Sequence, residues 1–105
     1  MDLAAKCYPV AAALPDSERF GLASLVRRAA VSIPANIAEG YGRETDGPFA
    51  QHLRIAQGSL KELETHLLLI ERLGLGSGPP IVETLALCDE LGRMIRSMLR
   101  TLKDR

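Results

Sequence analysis

The chain has no tryptophan, and aromatic residues make up only 4% of its 105 positions. A core without large rings must be filled by Leu, Ile, Val, Ala and Met, the usual filling of packed helices. The same scarcity removes the interleaved aromatics on which single-stranded bases stack. Cysteine is nearly absent too: Cys7 and Cys88 stand far apart, with no CxxC pair and no His at metal-ligand spacing. That rules against a zinc site or a disulfide framework and predicts buried thiols in a reducing compartment. Charge of one sign is also missing, since thirteen Lys and Arg balance thirteen Asp and Glu. Whole-chain charge therefore predicts no polyanion partner, and any nucleic-acid case rests on local clustering. No apolar run approaches the roughly 20 residues of a membrane span, and the N-terminus lacks the basic and unbroken apolar regions of a signal peptide. The expectation is a cytoplasmic protein with no membrane partner.

What is present is helical periodicity. Hydrophobic residues form 47% of the chain, enough for one modest core in a single domain spanning residues 1–105. Three punctuation points divide it: Leu14-Pro15-Asp16-Ser17, the Gly40 to Pro48 stretch, and Gly74-Leu75-Gly76-Ser77-Gly78-Pro79-Pro80. Each of the four resulting segments carries an apolar stripe, and none shows sustained alternation.

The first segment, Asp2 to Leu14, places Leu3, Ala4, Cys7, Val10, Ala11 and Leu14 on one stripe, with Pro9 removing a backbone donor. A short first helix is predicted. The second opens at Pro15-Asp16-Ser17-Glu18, where Asp16 or Ser17 can cap the free amides, and runs to about Tyr41. Pro34 lies inside it and frees the carbonyl of Ala30, so a kink solvated by Asn36 is expected rather than a stop. In the third, roughly Gly47 to Leu73, the seam Phe49, Leu53, Ala56, Leu60, Leu63, Leu67 and Ile70 alternates steps of four and three, the spacing of knobs-into-holes packing. Gly74 supplies its left-handed stop. The fourth begins at Pro79 or Pro80 and repeats the seam as Ile81, Leu85, Cys88, Gly92, Ile95, Leu99 and Leu102. Short connections make consecutive helices antiparallel, so the predicted fold is an all-α, up-down-up-down four-helix bundle.

Catalytic constellations are hard to assemble. A di-iron carboxylate bundle needs two Glu-x-x-His pairs, and the chain offers only Glu62 and His66 at a spacing of four. His52 and His66 read as surface or boundary residues, and no Ser-His-Asp or Cys-His grouping suggests an activated nucleophile. Gly40-Tyr41-Gly42-Arg43 follows a helix and lacks the Lys-Ser/Thr of a phosphate loop, so it reads as a helix-ending turn. No metal, cofactor or enzymatic activity is expected. On the fourth helix, however, Arg93, Arg96, Arg100 and Lys103 are spaced by three, four and three and form a basic stripe opposite the apolar one. A solvated face paired with Asp89 and Glu90 explains it, and so does a track for phosphates or an acidic partner. Gly58 beside Ser59 makes a notch where a helix, of this chain or another, can approach closely, and Glu39 with Arg43 has ion-pair spacing.

The run Arg28-Ala-Ala-Val-Ser-Ile-Pro-Ala-Asn-Ile-Ala-Glu-Gly-Tyr-Gly-Arg43, followed by Phe49, the stretch from Ile55 to Thr65, and Leu73-Gly74, resembles a bacterial four-helix-bundle family. That family was first met in intervening sequences of 23S ribosomal RNA genes. The resemblance implies a homopentamer around a central channel with no established enzymatic activity. It also implies kinship with the accessory variability determinant of diversity-generating retroelements, which binds a reverse transcriptase and nucleic acid. RNA, DNA or a nucleic-acid-processing protein are thus the partners implied, besides the chain itself. The alternative is a structural protein-interaction module that binds no nucleic acid. The family motif falls on Arg28, Ser32, Asn36, Glu39, Gly40 and Arg43, and on Gly58, Ser59, Glu62 and Thr65. Two features depart from it: Leu25 replaces a customary Gln, and the family's first helix begins about ten residues earlier. A first helix of about 20 Å against a third of about 40 Å predicts an uncovered apolar patch of Ile33, Ile37, Phe49, Leu53, Met98 and Leu102 that seeks a partner.

Overall fold

Helices form where the apolar stripes lie. A computed structural model describes residues 2–18, 20–43, 45–76 and 78–104. In it α1 spans Asp2–Ala12, α2 Leu22–Tyr41, α3 Asp46–Arg72 and α4 Pro79–Lys103, and the described residues contain no strand. The α3 seam is buried as its spacing requires: Leu53, Ala56, Leu60, Leu63, Leu67 and Ile70 are all enclosed. From α1 come Leu3, Cys7, Val10 and Ala11, with Leu14 just beyond its end. Each helix packs on its neighbours in sequence, α4 closes onto α1, and the diagonal pairs keep their backbones apart. The result is a four-helix bundle with extents of 46 × 22 × 18 Å. Its length is set by α3, whose 27 residues rise about 40 Å.

Terminations follow local chemistry. At the end of α3 the Gly74 amide donates to the Glu71 carbonyl and the Leu75 amide to the Ile70 carbonyl, while Gly74 takes φ +71°. These paired bonds, with glycine in the left-handed region, satisfy carbonyls that the helix end would leave open. Pro79 and Pro80 occupy the first turn of α4, where a missing N–H costs nothing.

Several expectations need correction. The second segment is not one helix from Pro15: Asp16–Glu18 forms a separate 3-10 turn, and α2 starts at Leu22 after Gly21. Neither Asp16 nor Ser17 caps it; the Glu18 carboxylate accepts a long bond of 3.4 Å from the Leu22 amide. As expected, Pro34 does not stop α2, which continues to Tyr41; Asn36 donates to the Ser32 carbonyl and hydroxyl. In α4 Leu85 packs partly buried against the core, and Thr84, which the seam did not include, is fully buried, its hydroxyl satisfied by donating to the Pro80 carbonyl at 2.6 Å. The patch predicted beyond α1 is largely closed. Ile33 and Leu53 are 1% and 0% exposed, and Ile37, Phe49, Met98 and Leu102 pack partly buried against the core, because α3 packs on both α2 and α4.

Candidate functional site

The α2–α3 seam carries a polar ladder. The Ser32 and Ser59 hydroxyls are 2.9 Å apart, Asn36 donates to Ser32 as above, and the Asn36 carbonyl oxygen lies 3.2 Å from His52 Nδ1. These pairings run the two helices in opposite directions. Farther along, Gly40 is buried where an added Cβ would stand 2.8 Å from the His52 Cβ and 3.0 Å from Phe49 Cδ1. Gly40 is therefore a point where α3 packs too closely on α2 for a side chain, a residue of the helix itself. The turn itself comes at Gly42, after Tyr41, whose ring lies 5.2 Å from that of Phe49. Arg43 and Glu39 form the expected ion pair at 2.8 Å on the exposed side.

Next to this ladder a groove of about 340 Å³ is lined by Leu25, Arg28, Ala29, Ser32, Ser59 and Glu62. Gly58 and Thr65 lie exposed on the outward face of α3 beside it. Thus the motif positions of α2 and α3 share one face of the bundle or the seam beneath it. Gly58 makes no close contact within the chain, since nothing lies within 4 Å of where its Cβ would be. Among the described residues, neither Arg28 nor Glu62 makes an ion pair.

The basic residues lie on a different helix. Arg93 pairs with Asp89 at 2.9 Å; no such pair joins Glu90 to it. Arg96, Arg100 and Lys103 make no ion pair among the described residues. The stripe does not stand opposite the apolar one, as the spacing suggested. Gly92 is buried, and a Cβ there would meet Arg96 Nη1 at 3.3 Å and Leu60 Cδ2 at 3.4 Å. Arg96 therefore flanks the boundary of α4 with α3, because the broad α4 stripe pushes its charged residues to one side. Arg100 and Lys103 also occupy the last turn, where cations favour the negative end of the helix dipole. Neutral overall charge conceals a polarity along the bundle. Beyond the N-terminal end of α1, which reaches the level of Met94, lie Arg43, Arg54, Arg96, Arg100 and Lys103 against Glu39, Asp46 and Asp104 among the described residues.

Cys7 and Cys88 are free and enclosed in the core. Desolvation pushes the Cys7 thiol up to about 11. Desolvation, then the nearby Cys7 and Glu64, pushes Cys88 up to about 12 against the opposing charge of Lys61. Thiols so placed stay protonated and unreactive at neutral pH. Among the described residues no three His, Cys, Asp or Glu side chains converge as a metal site, so Glu62 and His66 find no third ligand. Every buried side-chain nitrogen or oxygen among them has a hydrogen-bond partner. The sequence reading missed His52, which joins the ladder through a residue on another helix. No local pattern marks such a contact; only the register set by Gly40 against Phe49 and His52 locates it.

No described helix is long and apolar enough to cross a membrane. A model of the 23S rRNA-intervening sequence protein family matches residues 1–97 of the chain. No curated protein matches it.

Proposed function

Because the chain belongs to the 23S rRNA-intervening sequence protein family, we propose that it is a non-enzymatic bundle that assembles with itself and binds the phosphates of RNA or DNA. The assembly is a homopentamer, as the family resemblance implies, and it multiplies whatever one protomer presents. The observation that carries the nucleic-acid half is the set Arg96, Arg100 and Lys103, which succeed one another along α4 on its exposed side without ion pairs among the described residues. Charges left unpaired in a neutral chain, gathered toward one end, suit a polyanion. The absence of base-reading aromatics makes the binding backbone-directed and tolerant of sequence.

Each phosphate neutralised releases counterions, so three contacts lower duplex affinity roughly fortyfold per protomer between 50 and 200 mM salt. Fluorescence anisotropy with labelled RNA and duplex DNA should show that fall, and Arg96→Glu with Arg100→Glu should weaken binding at least tenfold at 50 mM. Binding absent at low salt, or unchanged in the double variant, removes the nucleic-acid reading. The second reading, a protein-interaction module, then stands on the unpaired α2–α3 groove.

A further inference from the structure

The α2–α3 groove has three properties that the fold of one chain does not use. Leu25, which lines it, is 40% exposed, and Ile55 and Leu69 on α3 to either side of Ser59 and Glu62 are 45% and 41% exposed. Ile55, Gly58, Glu62, Thr65 and Leu69 are all exposed and spaced by three, four, three and four. That is a second seam at knobs-into-holes spacing, on the side of α3 turned away from the core. Gly58 lies at its centre, in mid-helix, with open space where a side chain would stand. A glycine there weakens the helix without easing any contact inside the chain.

Charge indicates what covers this face. Arg28 from α2 and Glu62 from α3 line the same groove, yet neither makes an ion pair among the described residues. The face thus carries opposite signs on its α2 and α3 sides, so the α2 side of one copy can meet the α3 side of the next head to tail. We propose that it is the contact between copies of this chain: Arg28 of one copy meets Glu62 of the next, and Gly58 lets the neighbouring backbone approach α3. The inference rests on the self-assembly reading above and names its surface, separate from the α4 track. The seam from Ile55 to Leu69 extends about 21 Å, and with the adjoining α2 face about 20 Å across it offers roughly 400 Å² per copy. A protomer in a closed ring contacts two neighbours, so the many weak contacts of a ring stabilise one another without any single one reaching the area of a standard dimer.

The test is the mass and dissociation constant of the wild type and four variants by light scattering and analytical ultracentrifugation. Arg28→Glu and Glu62→Arg should each raise the dissociation constant at least tenfold, because like charges then face one another. The double variant carrying both reversals should recover to within threefold of wild type. Gly58→Leu should also dissociate the assembly, with helical circular dichroism retained. A wild type that assembles while all four variants keep its mass and affinity overturns this face and leaves self-assembly intact. A wild type that stays monomeric at 100 µM overturns both. Recovery in the double variant is a result that simple misfolding cannot produce.

Discussion

At the scale of single residues, Cys7 and Cys88 have a measurable consequence for stability. An exposed thiol in the unfolded chain ionises near 9.0, whereas the folded values are about 11 and about 12. Above pH 9 the unfolded state sheds protons that the folded state keeps, so stability is fully present below that pH and falls as pH rises toward the folded values. The limiting slope is about 1.4 kcal/mol per pH unit for each thiol. Urea unfolding at pH 8.5 and pH 10.5 should therefore show the wild type losing about 3–4 kcal/mol more than a Cys7→Ala, Cys88→Ala variant, whatever other groups contribute to both. Equal losses would mean that water reaches the thiols. The sequence supplied the burial of these residues through their place on two apolar stripes, but not their proximity, because helices α1 and α4 are distant in the chain.

At the scale of helices, two glycines exchange the meanings their sequence settings suggest. Gly40 stands in a Gly-Tyr-Gly run that reads as a turn, yet it lies inside α2 where α3 leaves no room for a side chain. Gly58 reads as a notch for a helix of this or another chain, yet within the chain nothing approaches it. The same substitution should thus have opposite signs. Gly40→Ala forces a methyl against His52 and Phe49 and should destabilise the fold by about 1–3 kcal/mol. Gly58→Ala should stabilise the protomer by about 0.5–1 kcal/mol through helix propensity. Denaturant melts at a concentration where the midpoint no longer depends on concentration would measure both. Periodicity located the helices within about a turn at most of their ends, since burying a stripe leaves a local imprint. It placed the start of α2 too early because the break at Gly21 follows a Pro-Asp-Ser run that equally suits a helix start. Contacts between helices, such as Asn36 with His52, leave no such imprint.

At the scale of the molecule, the bundle is uneven in what holds each helix. The α3 seam is buried along most of a 27-residue helix, whereas α1 has 11 residues, contains Pro9, and among the described helices brings its backbone close to those of α2 and α4 but not α3. Length and seam spacing made this asymmetry legible in the sequence. How the longer helices close over the end that α1 does not reach was not, because that depends on Ile37, Phe49, Met98 and Leu102, from three helices, each packing partly buried against the shared core. Cooperative units of different stability follow when one element contributes fewer buried contacts than the rest. Native-state hydrogen exchange should show amides of Leu60, Leu63 and Leu67 exchanging only with global unfolding. The amides of Cys7 and Val10–Ala12 should exchange through a smaller opening, with a shallower dependence on denaturant and a free energy several kcal/mol lower. Identical free energies and denaturant slopes in the two groups would instead make α1 part of one cooperative unit, held as firmly by its four buried side chains as α3 is by its long seam.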